Sequence, residues 1–461
     1  MLSKLSDFRS VFFIGIAGTG MSAVAQYLNG IGKRVYGSDR YFVDGTENAT
    51  RVLLEKEGIR CFEQNGEGIT DGLELVVIST AVEENVPEMV KARSLGIPVM
   101  KRSELLALIV ESKPAIAVAG TSGKSTTAAM IFTILEYAGM SPSIISGAGL
   151  VSIMDAGKIG NAKVGEGQWL IIEADESDGS IIQYHPQIGV LLNIDKDHKE
   201  IDELIRLFGV FRSHCNHFVT NQGHSLAASL SKDLSCDFST SSGNGLRYEA
   251  TGLTQSGMDV AFEVQNVPFQ LHLPGKHNVE NALAAIAVSG LLGVDLKIAS
   301  AALLTYKGIY RRHQLLGRHK GIWLIDDYAH NPAKCAASVS ACQALASKVI
   351  AWFQPHGYGP TRFLRNEFVE SLAAVMREED EIWMSEIFYA GGAATRDISA
   401  ADLIKDLGSK GVHAYFLPGR DALVDALKGH FTNDCVLLLM GARDPSLESF
   451  AHEVWRQVQE I

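Results

Sequence analysis

Ala117-Val118-Ala119-Gly120-Thr121-Ser122-Gly123-Lys124-Ser125-Thr126-Thr127 sets the architecture around it. An apolar run at 115–119 enters the turn. A segment with helical spacing leaves it, carrying Met130, Ile131, Ile134, Leu135 and Ala138 on one face. Strand, glycine-rich turn and helix in that order form a phosphate-binding loop. Gly120 and Gly123 let backbone N–H groups wrap phosphate oxygens, and the helix N-terminus adds partial positive charge. Lys124 is placed to reach β- and γ-phosphates, and the Ser125 hydroxyl to meet magnesium. Val118 stands at the first glycine of the long G-x-x-x-x-G-K-[ST] pattern, so only the shorter G-T-x-G-K-S form fits. The competing reading, a plain glycine-rich turn, leaves Lys124-Ser125 without a reason.

Downstream, Ile171-Ile172-Glu173-Ala174-Asp175-Glu176-Ser177-Asp178 puts four carboxylates at the end of a strand expected over 169–173. In α/β sheets ligands gather at that edge. A strand-end carboxylate such as Glu173 beside a triphosphate is a natural magnesium ligand; without the phosphate loop the same run reads as a solvated acidic turn. Asn193-Ile194-Asp195-Lys196-Asp197-His198 ends the next strand, expected over 189–193, and brings His198 toward the same edge. A single histidine of this kind also fits a purely structural role.

Upstream, a strand expected over 11–16 runs into Gly15-Ile16-Ala17-Gly18-Thr19-Gly20, with a helix expected over 21–29. The glycines resemble a dinucleotide fingerprint with Ala17 in the second glycine slot. Asp39 closes the following strand, about 20 residues on, where a ribose-binding acid is expected. Gly15, Gly18 and Gly20 with Asp39 mark a nucleotide-phosphate site and do not separate a nicotinamide dinucleotide from a UDP-sugar. Further strands are expected at 34–37, 75–78 and 97–100. Residues 221–272, rich in Ser, Gly and Thr, read as a β-rich excursion before a helix at 278–292. A third series has strands at 323–327, 349–353, 381–386, 414–417 and 435–440, and helices at 332–344, 362–376 and 421–428.

The expected fold is α/β, as three successive domains: a Rossmann-like domain at 1–112, a central mononucleotide-binding domain at 113–308, and a Rossmann-like domain at 309–461. Its 461 residues suit about three domains, and 46% hydrophobic content supplies their cores. Forty-one basic against 53 acidic residues give a net charge of −12, which argues against a broad nucleic-acid footprint. Cys61, Cys215, Cys236, Cys335, Cys342 and Cys435 form no C-x-x-C pair, the usage of reduced thiols. Lys4, Arg9 and Ala23-Val24-Ala25 mimic a secretion signal, but the glycines interrupting the run are better explained by the nucleotide turn. No apolar stretch reaches the ~18 residues a bilayer span needs. A cytoplasmic protein with no membrane and no nucleic-acid partner is expected, as monomer or homodimer.

Taken together the sequence resembles the Mur ligase family over essentially its whole length. Beyond the stretches above, the resemblance is carried by Gly275-Lys276-His277-Asn278-Val279-Glu280-Asn281-Ala282, Arg311-Arg312, Asp326-Asp327-Tyr328-Ala329-His330-Asn331-Pro332 and Phe353-Gln354-Pro355-His356. It implies ATP-dependent, magnesium-assisted joining of an amino acid, L-alanine first among them, to the carboxylate of UDP-N-acetylmuramate in cell-wall synthesis. It implies that Gly15, Gly18, Gly20, Asp39, Ser79 and Arg102 hold the UDP-sugar. Gly120 to Thr126 would hold the ATP phosphates, Ser125, Glu173 and His198 the metal, and Asn278 and Asn281 the adenine. Asn278 and Asn281 by themselves also read as helix-capping residues. Arg311 and Asp326 would join the nucleotide site, Asp326 at the ribose. Tyr328, His330, His356 and Arg362 would face the amino substrate. The catalytic set implied is Lys124, Glu173, His198 and His330.

The sequence departs from the family pattern in places. Ser122 stands where the family has His, and Asn331 interrupts its H-H-P. Two arginines expected near the acceptor carboxylate are replaced by Gly357 and Pro360, with Arg362 two residues further on. A planar guanidinium binds a carboxylate bidentately, so these changes bear on the amino substrate more than on the reaction class. The alternatives are a ligase adding a whole peptide to the same sugar, a catalytically idle nucleotide-sugar-binding protein, and an NAD-dependent oxidoreductase resting on the 15–20 turn.

Overall fold

In the computed structural model the chain is described over residues 2–43, 45–80, 82–195, 199–241, 243, 245–389 and 395–461. It divides into two compact units. One comprises Met1–Thr254, Ala261–His272 and Lys276–Ile309; the other Gln255–Val260, Leu273–Gly275 and Tyr310–Ile461.

The first unit carries smaller sheets and two large ones, of five and six strands. One is wholly parallel, in the order Arg60–Glu63, Arg34–Asp39, Ser10–Ile14, Val76–Ile78, Val99–Lys101. Ser10–Ile14 is buried along its length, as a central strand covered on both faces must be. It ends at Ile14 rather than at 16, because Gly15 turns the chain with a φ of +80°. The second sheet has the order His217–Thr220, Ile188–Leu191, Ala115–Ala119, Leu170–Glu173, Ser143–Ile145, Ala162–Lys163, and only its last pair is antiparallel. One continuous apolar core runs through both, from Phe13, Val24 and Leu28 through Leu106 and Ile109 to Ala117, Ile172 and Phe208.

The β-rich excursion resolves into Phe238–Ser239 paired with Tyr248–Glu249 and a three-stranded sheet of Thr251–Ser256, Asp259–Val264 and Val267–Leu271. In Asp259–Val264 alternate residues Val260, Phe262 and Val264 are buried, the two-residue period expected of a half-covered strand. Helices not anticipated from the sequence include Ile201–His214 and Leu296–Leu304.

The second unit is built on one sheet, ordered Gln314–His319, Ile322–Asp327, Cys435–Gly441, Lys348–Gln354, Glu381–Met384, His413–Phe416. Its first pair is antiparallel and the rest parallel. The helix expected over 362–376 is two: Tyr358–Phe363 and Arg365–Ala373 meet at Leu364, which leaves helical geometry. All six cysteines are unbridged. Burial pushes the Cys61, Cys215 and Cys236 thiols up to about 12. Among the described residues no helix is long and apolar enough to cross a membrane.

Candidate functional site

The central sheet brings the chemistry of the first unit together. Ala115–Ala119 lies between Leu170–Glu173 and Ile188–Leu191, all parallel, with Val118 opposite Glu173 and Ala119 opposite Leu191. Three strands therefore end side by side. They deliver the 120–125 turn, the 173–178 acids and the 193–195 segment to one edge.

The turn needs its glycines. Gly120 has φ +139°, and a Cβ there would sit 3.1 Å from the Leu192 Cβ; Gly123 has φ +84°, and its Cβ would lie 2.4 Å from Asn281 Oδ1. Gly123 caps the helix, which begins at Lys124, earlier than the sequence spacing suggested. Asn281 braces the turn from behind. Its Oδ1 accepts from Thr127 Oγ1 at 3.1 Å, and its amide donates to Asn278 Oδ1 at 3.4 Å. Asn278 and Asn281 are both buried.

Lys124 Nζ donates to Gly120 O at 2.7 Å and to Glu176 Oε2 at 2.8 Å, with Asp175 Oδ1 at 3.9 Å. Burial pushes the Asp175 carboxyl up, but Lys124, the Ser177 N–H and Arg102 outweigh it and hold the group below its ordinary value. Ser125 Oγ donates to Glu173 Oε2 at 2.9 Å, and Glu173 Oε1 accepts from Ser146 Oγ and Gly147 N at 2.7 and 2.6 Å. The Ser125–Glu173 pair is a set of hard oxygen donors beside the turn, the chemistry a magnesium ion takes when phosphates and water complete its shell. Among the described residues no three His, Cys, Asp or Glu side chains form a ready metal cage, and such an ion does not require one. His198, with Lys196 and Asp197, lies outside the described residues.

Two side chains that the sequence reading left without a role turn out to be central. Glu176, 4% exposed, is the nearest counter-charge of Lys124. Asn193 Oδ1 accepts from Ser122 N and Thr121 Oγ1, each at 2.9 Å, and its amide returns to Ser122 O at 3.2 Å. Thr126 follows in the first turn of the helix, half-buried.

At the other glycine-rich turn, Gly15 N and Ile16 N donate to Ser38 O at 2.8 and 3.0 Å. Asp39 is buried, and its carboxylate accepts from Ala17 N at 3.0 Å and Tyr41 N at 3.1 Å. Gly18 caps the helix Thr19–Gly30, and a Cβ on Gly20 would lie 3.4 Å from Arg102 Nε. Arg102 thus lies over the helix's first turn, where a cation and free N–H groups favour an anion together. Ser79 follows the strand Val76–Ile78, and its carbonyl accepts from Val82 N at 3.2 Å.

In the second unit Arg311 grips Asp326 through two nitrogens, at 2.8 and 3.2 Å, and donates to Gly441 O at 2.9 Å. Both side chains are buried. Tyr328 packs beneath Arg311 and Arg312, whose guanidiniums lie 5.4 and 5.5 Å from its ring centre. His330 lies 5.6 Å from the Tyr328 ring and 5.7 Å from His356, and its Nδ1 is 2.9 Å from Tyr328 O. Burial, His330 and Arg443 push His356 down to about 4, so the ring is neutral at pH 7. Asp327, unassigned from sequence, holds His313 Nδ1 at 2.7 Å. Burial opposes charging that histidine, but Asp327 overrides it and raises His313 well above its ordinary value; Asp327 itself is held at about 2. Arg311 and His313 both have positive φ, a bend no local pattern announces.

Arg362 lies in the helix Tyr358–Phe363. Half exposed, it pairs with Asp397 at 2.6 Å and donates to Thr395 O at 3.3 Å. Gly357 has φ +74°, and a Cβ on it would lie 3.3 Å from Pro360 Cδ, so the two departures from the family pattern fit one another. Arg396, another guanidinium of this segment, lies 4.4 Å from the Tyr389 ring centre and 5.7 Å from that of Tyr358.

Comparison with known proteins bears on all these places. Residues 10–114 match the Mur ligase family catalytic domain, 118–289 the Mur ligase middle domain, and 311–443 the Mur ligase glutamate ligase domain. The UDP-N-acetylmuramate–L-alanine ligase of Synechococcus sp. (strain RCC307) is 34% identical across 99% of this chain and 96% of its own. The enzyme of that name from Carboxydothermus hydrogenoformans is 34% identical across 95% of each. Among solved structures, the UDP-N-acetylmuramate-alanine ligase MurC of Thermotoga maritima superposes with a TM-score of 0.79 at 26% identity, over 98% of this chain and 99% of that one. A murein peptide ligase from Psychrobacter arcticus shares the fold, with a TM-score of 0.67 at 20% identity over 98% and 99%.

Proposed function

The chain belongs to the Mur ligase family, and from that premise we propose that it is an ATP-dependent, ADP-forming ligase joining L-alanine to the lactyl carboxylate of UDP-N-acetylmuramate. The observation that carries this reading is the shared edge of three parallel strands, where Lys124 and the Ser125–Glu173 pair flank one glycine turn. Carboxylates do not form amides unaided in water, so the sugar's carboxylate first takes the γ-phosphoryl group and becomes an acyl phosphate. The amine then attacks that carbonyl, phosphate leaves, and the amine sheds a proton.

Backbone N–H groups of 120–125 bind the phosphates and Lys124 offsets the charge spread over the transferring group. Magnesium, when bound, neutralises phosphate charge; Ser125 and Glu173 are the residues to hold it, with His198 as the sequence expects. Gly15, Gly18, Gly20, Asp39, Ser79 and Arg102 shape the sugar-nucleotide site. Arg102 supplies its fixed positive charge, while Asp39 holds the turn's backbone in shape. Asn278 and Asn281 support the turn and the nucleotide. The buried Arg311–Asp326 pair keeps the start of the second unit's sheet in register. Tyr328, His330 and His356 face the amine. The test is a mass-resolved product assay with UDP-N-acetylmuramate, L-alanine, ATP and magnesium. The alanyl product and one ADP per amide are expected; ATP stable under those conditions overturns the reading. Gly357 and Pro360 favour a second reading, a peptide as amino substrate, and a tripeptide outcompeting alanine in that assay would select it.

A further inference from the structure

We propose that Asn161 is a positioning residue that couples the glycine turn at 15–20 to the Ser125–Glu173 pair. The proposal rests on reading those places as the sugar-nucleotide and ATP–magnesium sites.

Asn161 is fully buried, just ahead of the strand Ala162–Lys163. Its Nδ2 donates to Thr19 O at 2.8 Å and Ser22 Oγ at 2.9 Å, both in the first turn of the helix Thr19–Gly30. Its Oδ1 accepts from Gln26 Nε2 at 2.7 Å, and Gln26 also donates to Ser22 O at 2.9 Å. The side-chain amide is spent on that one helix. The carbonyl of the same residue accepts from Ser146 N at 2.8 Å. Ser146 Oγ donates to Glu173 Oε1 at 2.7 Å, and Glu173 Oε2 receives the Ser125 hydroxyl at 2.9 Å.

An unbroken path of short hydrogen bonds therefore leads from the helix start, where Arg102 and the N–H groups would hold a phosphate, to the metal-binding carboxylate. The far end of the helix is docked differently. A Cβ on Gly30 would lie 2.6 Å from Val164 Cγ2, so close apolar contact joins helix and sheet there. Attachment alone is met by that contact. The polar bonds cluster at the ligand end, and one oxygen of the cluster, Gln26 Oε1, is buried with no partner among the described residues, so the network is kept at a cost to stability. Coupling is the use that explains their location.

The experiment is calorimetric titration of the full-length chain with magnesium and a non-hydrolysable ATP analogue, with and without UDP-N-acetylmuramate. In the wild type the sugar nucleotide is expected to tighten analogue binding by about 5–150-fold, and the analogue to tighten the sugar by the same factor. Asn161→Ala should bring that factor toward 1 while each separate Kd stays within about threefold. Ser22→Ala should act in the same direction, and decides alone if Asn161→Ala does not fold, since Ala suits a helix. A merely structural Asn161 lowers the melting temperature and leaves the factor intact; that result overturns the proposal, as does a wild-type factor of 1. A wild type that binds no sugar nucleotide overturns the functional reading with it.

Discussion

The turn at 120–125 and the segment at 353–362 both leave the end of a parallel strand, yet they are constrained in different ways. In the first, the glycines, Lys124 and Ser125 are tightly committed. Gly120 and Gly123 hold positive φ under close neighbours, Lys124 caps back onto Gly120 O, and Ser125 binds Glu173. In the second, Gly357 and Pro360 adapt to one another, Arg362 turns to Asp397 and Arg396 rests on two tyrosines. A phosphate chain presents the same oxygens to every enzyme that uses it, so its cradle tolerates little change. An amino substrate is recognised at its periphery, where guanidiniums can arrive from several chain positions.

Substitutions can break or sharpen that contrast. The largest loss is expected for Lys124→Ala: kcat for phosphate release falls by at least about 10²–10³-fold, measured under saturating substrates. Near-normal turnover would remove the phosphate turn from the mechanism. Glu173→Gln should raise the magnesium concentration for half-maximal rate by about 10–100-fold, with a smaller change in the amino-substrate KM. An unchanged magnesium curve would detach Glu173 from the metal.

In the second segment the expected effects shift from rate to stability and selectivity. Gly357→Arg, which restores a family residue, should cost about 1–3 kcal/mol because the local backbone favours glycine, read as a lower denaturation midpoint. No loss of stability would show the turn to be adaptable. His356 is depressed to about 4 in the fold against about 6.5 in an unfolded chain. Between those values the unfolded state binds more protons, so stability declines as pH falls through 6.5 toward 4. His356→Gln should flatten that part of the pH–stability curve, and an unaltered slope would contradict the assigned burial effect. Arg362→Ala should change stability by no more than about 1 kcal/mol, since its ion pair is half exposed. A large change in amino-substrate KM from this variant, with Arg396→Ala silent, would fix acceptor recognition on Arg362.

The contrast also explains what the sequence disclosed. The strand–turn–helix at 115–137 and the acids after Leu170–Glu173 were legible because hydrophobic period, glycine and charge agree within a few residues. The exact helix start was not, since it depends on the left-handed Gly123. Asn161, Glu176 and the His313–Asp327 pair acquire meaning only from partners far along the chain, such as Gln26 for Asn161, and no local period encodes such pairing. The helix Ile201–His214 was readable in principle, with Leu204, Phe208 and Phe211 on its buried face and Asp202 and Glu203 at its positive end.

Asn193 has a mechanical consequence. Its side chain ties the 120–125 turn to the segment following Ile188–Leu191 by three hydrogen bonds, so the carboxyl ends of two adjacent strands are pinned together and a shift of one drags the other.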